Sequence, residues 1–302
     1  MKKLRRLAMV SAIIFALLAG AGYSAFYIKG PDVHARAAIL IDSETKEVHF
    51  AKNEDTPFPA ASMTKLMTAY LILEKIQAGE FGWNDGVKIS GNAVGSEGVA
   101  IPVKLGDTLT VRDLFMAMEI ASANNAAVAL AEKAAGTEVE FTEWMNRKAR
   151  DIGLSEHTRF VNATGLANRN GHESVMTAAD VAQMAARLIE DYPEILAISS
   201  KIEYQLHYDQ SIVRSTNAML INPDFAFKGV DGLKTGFTDG AGYCFAGTAK
   251  VGGTRLISVV MGADGKEARF SETKRLFAYG FKKPYFPPIK QVVANEISRF
   301  GL

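Results

Sequence analysis

The sequence predicts an α+β fold in which one mixed sheet is covered by helices and an all-helical lobe separates its early from its late strands. Three observations carry this prediction. Two strand-like stretches joined by a four-residue turn lie near the start, and residues 110–200 are filled by helical periodicity with repeated capping patterns. Three closely spaced strand-like stretches and one more helix then follow.

Taken in order, Ala37-Ala38-Ile39-Leu40-Ile41-Asp42 and Glu47-Val48-His49-Phe50, joined by Ser43–Lys46, read as an antiparallel hairpin. Met63, Leu66, Met67, Tyr70, Leu71 and Leu73 then recur at helical spacing, and the run stops near Gly79. Residues 80–108 are glycine-rich and read as irregular, with a short apolar piece at Val99–Val103. Thr110-Val111-Arg112-Asp113 resembles a capping box and opens a helix to about Ile120. Asn125–Lys133 is alanine-rich and helical, ending at Gly136. Thr137–Glu140 and Thr177–Asp180 repeat the capping pattern, leading helices that close near Gly153 and before Pro193. The late strands are Gly232–Phe237, Gly242–Lys250 and Thr254–Ala263, joined by Thr238-Asp239-Gly240-Ala241 and Val251-Gly252-Gly253. Connections this short favour antiparallel pairing of the three. A last helix runs from about Lys266 to Tyr279.

With 302 residues, 48% of them hydrophobic, the chain can bury a substantial core. A net charge of +1 gives no reason to expect a nucleic-acid partner. Lys2, Lys3, Arg5 and Arg6 precede an uncharged run from Leu7 to Ile28, which reads as an export signal or a membrane anchor. Ala19-Gly20-Ala21 offers a small-residue cleavage site, and the run is also long enough to span a bilayer. Either way the basic flank stays inside and the remainder is exported. Cys244 is the single cysteine, so no internal disulfide is possible, and its apolar setting reads as a small buried side chain. The five histidines show no ligand spacing, so no structural or catalytic metal is expected.

Three short motifs carry chemistry. Ser62-Met63-Thr64-Lys65 places a hydroxyl at the first turn of a helix with an amine on the same face, because side chains three apart are neighbours. A serine needs a base within reach to become a nucleophile, and a lysine can serve if burial favours its neutral form. Alone, this short and common motif reads better as a capping serine beside an exposed lysine. Ser122-Ala123-Asn124, at the break between two helices, offers a hydroxyl able to pass a proton and an amide able to hold a peptide backbone. The plain alternative is a capped interhelical turn. Lys234-Thr235-Gly236 supplies positive potential, a hydroxyl for a carboxylate and room for close approach, on a strand that otherwise reads as a charge-protected edge. Such an edge can also pair with an extended peptide.

In this order, with Ser122 60 positions after Ser62 and Lys234 112 after Ser122, the motifs form the signature of penicillin-interacting serine enzymes. From about Ala37 to Phe281 the chain resembles the serine-type D-alanyl-D-alanine carboxypeptidases, low-molecular-mass penicillin-binding proteins. Phe160-Val161-Asn162-Ala163-Thr164-Gly165-Leu166 and Gly232–Thr238 add to the likeness. The resemblance implies a β-lactamase/transpeptidase-like fold, with a five-stranded antiparallel sheet, a helical lobe over about 66–200 and a cleft between them. It implies Ser62 as the acylated nucleophile, Lys65 as its base, and Ser122 and Asn124 in proton relay and amide binding. Lys234 and Thr235 would hold the terminal carboxylate beside Gly236, and the N–H groups of Ser62 and Phe237 would form the oxyanion hole. The resemblance implies no cofactor, and its implied partners are peptidoglycan stem peptides and, as covalent inhibitors, β-lactam antibiotics. The membrane is a further partner if the leader is uncleaved, with the enzyme in the periplasm or on the outer face of the bacterial cytoplasmic membrane.

The expected organisation is a leader over 1–30, a catalytic domain over 31–282, and a tail over 283–302 with no second domain. The tail has weak amphipathic spacing at Ile289, Val292, Val293, Ile297 and Phe300. An endopeptidase cleaving peptidoglycan crosslinks is the alternative activity. A β-lactamase is disfavoured because no E-x-x-L-N lies between Ser122 and Lys234, and a non-catalytic β-lactam sensor because the motifs are intact. Arg214 is the nearest candidate for an arginine meeting the substrate carboxylate.

Overall fold

The computed structural model describes residues 30–285, so the leader and the amphipathic tail positions lie outside the described residues. Five strands form the main sheet: β1 (Ala35–Asp42), β2 (Val48–Lys52), β3 (Val230–Thr238), β4 (Gly242–Val251) and β5 (Thr254–Ala263). Their order is β2-β1-β5-β4-β3 and every pairing is antiparallel. The mixed sheet expected from the strand pattern is thus corrected. The late hairpins can pair in no other way, and β5 meets β1 antiparallel, with Ile39 opposite Val259.

Side-chain alternation sorts the sheet into two faces. Ile39, Ile41, Ile257, Val259 and Met261 face the main core, under helices α1 (Lys65–Gln77) and α5 (Ala178–Asp191). Ala38, Leu40, Phe245, Leu256 and Val260 face Phe270, Leu276 and Phe277 of α6 (Ala268–Gly280). Covered on both faces, β5 is buried from Leu256 to Ala263 and reads as an apolar run interrupted only by Ser258.

The lobe between early and late strands contains α2 (Val111–Ile120), α3 (Asn124–Ala135) and α4 (Glu138–Asp151). Helix α1 runs through its centre, with every residue from Lys65 to Leu73 buried. A helix buried all round belongs inside a domain rather than on its surface. The three predicted threonines cap their helices: Thr110, Thr137 and Thr177 accept from the backbone N–H of Asp113, Glu140 and Asp180. Glu140 Oε2 accepts from Thr137 Oγ1, and the other two acids turn to loop groups. Asp113 accepts from Tyr204 Oη, Tyr208 N and the His207 ring, and Asp180 from Ser155 N, Ser155 Oγ and Thr158 Oγ1, so both tie loops to helix starts. Thr177→Ala should cost about 0.5–2 kcal/mol, read as a lowered urea midpoint at unchanged slope.

Two expectations need correction. The 80–108 stretch is not wholly irregular: Gly86–Lys88 pairs with Thr108–Thr110, and Ser90 caps a helical turn at Gly91–Val94. The helical lobe is not purely helical either, since Phe58–Pro59 pairs with Val175–Met176. Strands of two or three residues are too short to show a period of two. No helix among the described residues is long and apolar enough to cross a membrane.

Candidate active site

Ser62 lies in a single 3₁₀ turn, Ala61–Thr64, that feeds directly into α1. Ala61 adopts φ 45°, a conformation alanine takes only under constraint. The turn is tied to the sheet from one side, where edge strand β3 passes it. A Cβ built on Gly236 would stand 3.1 Å from Ala60 O and 3.3 Å from Ser62 N. Only a glycine lets that strand run so close to the serine backbone.

One turn on, the Lys65 amine is completely buried and has three partners: Ser62 Oγ at 3.0 Å, Asn124 Oδ1 at 2.7 Å and Thr164 O at 2.9 Å. Burial holds its pKa well below the ordinary 10.5; the Lys234 charge pushes it the same way and the Glu119 carboxylate opposes both. The partners fit that neutral form. Carbonyl oxygens of Asn124 and Thr164 can only accept, so a neutral amine gives them its two protons and turns its lone pair to the Ser62 hydroxyl. This is the arrangement a serine needs to lose its proton.

Asn124 begins α3. Its Oδ1 receives Lys65, and its Nδ2 donates to Glu97 O at 2.7 Å. The amide's capacity to hold a substrate backbone is therefore half taken up: one Nδ2 proton and one carbonyl lone pair remain. Ser122, 7% exposed, sits between α2 and α3 at φ 65°. Its neighbour Asn124 is in the site, while the Lys65 amine bonds to Ser62, Asn124 and Thr164 rather than to Ser122.

Strand β3 brings the third motif. Lys234 is 1% exposed, with its ammonium 3.4 Å from Thr235 O. Thr235 Oγ1 lies 2.7 Å from Thr216 Oγ1. Phe237, at the strand's outer end, is 47% exposed and stacks on Tyr243 at 4.4 Å between ring centroids. Arg214 is on the surface, its side chain 72% exposed and 3.6 Å from Glu203.

Several contributors were not singled out from sequence. Thr164 acts through its carbonyl, on a loop shaped by Asn162, whose Oδ1 accepts from Thr164 N, Thr164 Oγ1 and Gly165 N. Arg269 on α6 backs β3, donating to Gly236 O at 3.0 Å; burial lowers its pKa to about 10. Glu119, the next-to-last residue of α2, is 3% exposed. Only the Asn162 loop had a signal in sequence, an Asn-x-x-Gly turn. Cys244 is buried and free, and burial pushes its thiol up to about 11, so it is no nucleophile.

Comparison with known proteins agrees with this geometry. A D-alanyl-D-alanine carboxypeptidase family model, peptidase S11, matches residues 24–265. The D-alanyl-D-alanine carboxypeptidase DacF of Bacillus subtilis is 36% identical over 254 residues, covering 82% of this chain and 62% of that protein. A D-alanyl-D-alanine endopeptidase of Escherichia coli is 29% identical over 276 residues, covering 89% of this chain and 85% of that protein. Penicillin-binding protein D2 of Listeria monocytogenes, solved in its ampicillin-bound form, superposes with a TM-score of 0.76 at 37% identity, covering 83% of this chain and 99% of that one. Fold, spacing of the motifs and family match agree: the chain belongs to the peptidase S11 family of serine D-alanyl-D-alanine carboxypeptidases.

Proposed function

We propose that this protein removes the terminal D-alanine from peptidoglycan pentapeptides through an acyl-enzyme on Ser62. The observation that carries the reading is the Lys65 amine, buried and 3.0 Å from Ser62 Oγ, with its other two partners both obligate acceptors. Ser62 Oγ attacks the carbonyl of the penultimate D-alanine as its proton passes to Lys65. The C–N bond then breaks, D-alanine leaves with a proton relayed through Ser122, and a serine ester remains. Water attacks the ester and gives its proton to Lys65, the acyl C–Oγ bond breaks, and Lys65 returns the proton to Ser62 Oγ. Lys234 and Thr235 hold the terminal carboxylate, and the N–H groups of Ser62 and Phe237 meet the developing oxyanion, each donor worth about 10²–10³ in rate. Residues 31–282 are the catalytic domain, and the basic, apolar leader delivers it across the cytoplasmic membrane.

Purified protein incubated with a pentapeptide ending in D-Ala–D-Ala should release free D-alanine, and Ser62→Ala should release none. No D-alanine from the wild type would overturn the reading. Crosslink cleavage is the second reading, favoured by the likeness to an endopeptidase. Dimeric muropeptides offered to the same preparation decide between the two. Penicillin should give a long-lived adduct on Ser62, whereas rapid nitrocefin turnover would point to a β-lactamase.

A further inference from the structure

Glu119 is a buried carboxylate that nothing nearby on its own helix favours. It sits at the C-terminal end of α2, where the helix dipole opposes negative charge. Its flanks, Met118 and Ile120, are core residues. Both of its oxygens are buried and accept no hydrogen bond from any described protein group. A carboxylate so placed persists only where something compensates it. The ionisable groups acting on it are Lys234, on β3, and Lys65, on α1. Arg269 on α6 acts on Lys234, while Arg214 and Glu203, on the hairpin packed against α2, pair with each other at the surface.

Three buried ionisable groups, two lysines and one glutamate, therefore share the cleft. Arg269 stands behind β3 against the Gly236 carbonyl; within the trio itself, with the glutamate ionised, charge balances when one lysine is an ammonium and the other an amine. The partners of Lys65 decide which: two carbonyl oxygens and the serine hydroxyl suit the neutral amine. Lys234 is then the ammonium. We propose that Glu119 is the internal counter-ion that keeps Lys234 charged for the substrate carboxylate while Lys65 stays neutral as the base. Its oxygens make no hydrogen bond to Ser62, and it is a positioning residue acting through the two lysines. The direction of the shifts agrees. Burial raises Glu119 against the pull of both lysines, and its carboxylate holds Lys234 up while burial and Arg269 push it down.

This rests on the acyl-enzyme reading above, so the test uses a fluorescent penicillin. Wild-type labelling at Ser62 first establishes the acylation machinery, whatever the natural peptide is. The rate of labelling is then followed against pH. Lys65 must be neutral, which sets the acid limb; Lys234 must be charged, which sets the alkaline limb. The Glu119 carboxylate raises both lysine pKa values, so Glu119→Gln lowers both, and the two limbs move together to lower pH by about one unit or more. Glu119→Asp, which keeps the charge, must return both limbs towards their wild-type positions. A merely structural role changes the height of the profile or the melting temperature and leaves the limbs in place, and that result overturns the proposal. Limbs moving in opposite directions overturn it too. If Glu119→Gln does not fold, the pair Glu119→Asp and Glu119→Asn, equal in size and different in charge, repeats the comparison. Identical profiles in that pair count against Glu119 as counter-ion.

Discussion

Lys65→Met should slow penicillin acylation by about 10²–10⁴-fold, the usual worth of a positioned base. It should also become relatively more stable than the wild type as pH falls. Methionine fills the same flexible volume and brings no charge. In the unfolded chain Lys65 titrates near 10.5, and in the folded protein well below it, because burial disfavours the ammonium. Between those two values the unfolded chain holds the extra proton, so wild-type stability rises with pH, by up to about 1.4 kcal/mol per unit from this group. Below the folded value both states are charged, and the whole cost of the buried ammonium is present. The variant lacks that proton, so its stability relative to wild type grows as pH falls and levels off below the folded pKa. Against this stands a constant offset. Asn124 Oδ1 and Thr164 O lose a donor, at about 1–3 kcal/mol each. Urea midpoints of both proteins measured over a pH series separate the two contributions. Parallel curves would mean that Lys65 is an ordinary charged lysine in the folded protein, and the case for it as a base would go with them.

What the sequence made legible, and what it hid, follows from the range over which each feature acts. Thr110, Thr137 and Thr177 act on an N–H three residues on, so their caps were readable one by one. The β3–β4–β5 meander is joined by turns of two or three residues, which leave only antiparallel pairing. Ser62 and Lys65 share a helical face by spacing alone. By contrast, Thr164 contributes a backbone carbonyl, and any residue at that position has one. Glu119 stands in Met116-Ala117-Met118-Glu119-Ile120, where no periodic pattern says that the polar residue points inward to two lysines 54 residues before and 115 after it. Asn124 is marked by its motif, yet its partners, Lys65 and the Glu97 carbonyl, depend on how a glycine-containing loop crosses the helix start. Arg269, on the last helix, reaches the edge strand only because α6 covers the far face of the sheet.

Gly165→Ala should be the most damaging single methyl that can be added near the site. Gly165 has φ +83°, and a Cβ there would lie 1.9 Å from Ala61 O, 2.5 Å from Ala61 C and 2.7 Å from Thr64 Oγ1. The first two are backbone atoms of the turn that carries Ser62, so no rotamer change relieves the contact. Either the loop or the turn must retreat. The turn is held where Ala60 N donates to Ser174 O, and Gly236 crowds it from the strand. The loop is held by three bonds to Asn162 Oδ1, by Asn162 Nδ2 to Leu166 O, and by Lys65 to Thr164 O. Strain at positive φ and overpacking together should cost about 2–5 kcal/mol. Retreat of the loop takes the Thr164 carbonyl from Lys65, and an error of about 1 Å in such a site costs on the order of 10² in rate. The internal control is Gly171→Ala on the same loop region: φ is +76° but no atom lies within 4 Å of the added methyl. It should lose about 1 kcal/mol from backbone strain and keep its acylation rate. Thermal melts and penicillin labelling of the two variants distinguish the effects. Equal losses would mean that the conformation at Gly165 matters and its contact with the serine turn does not.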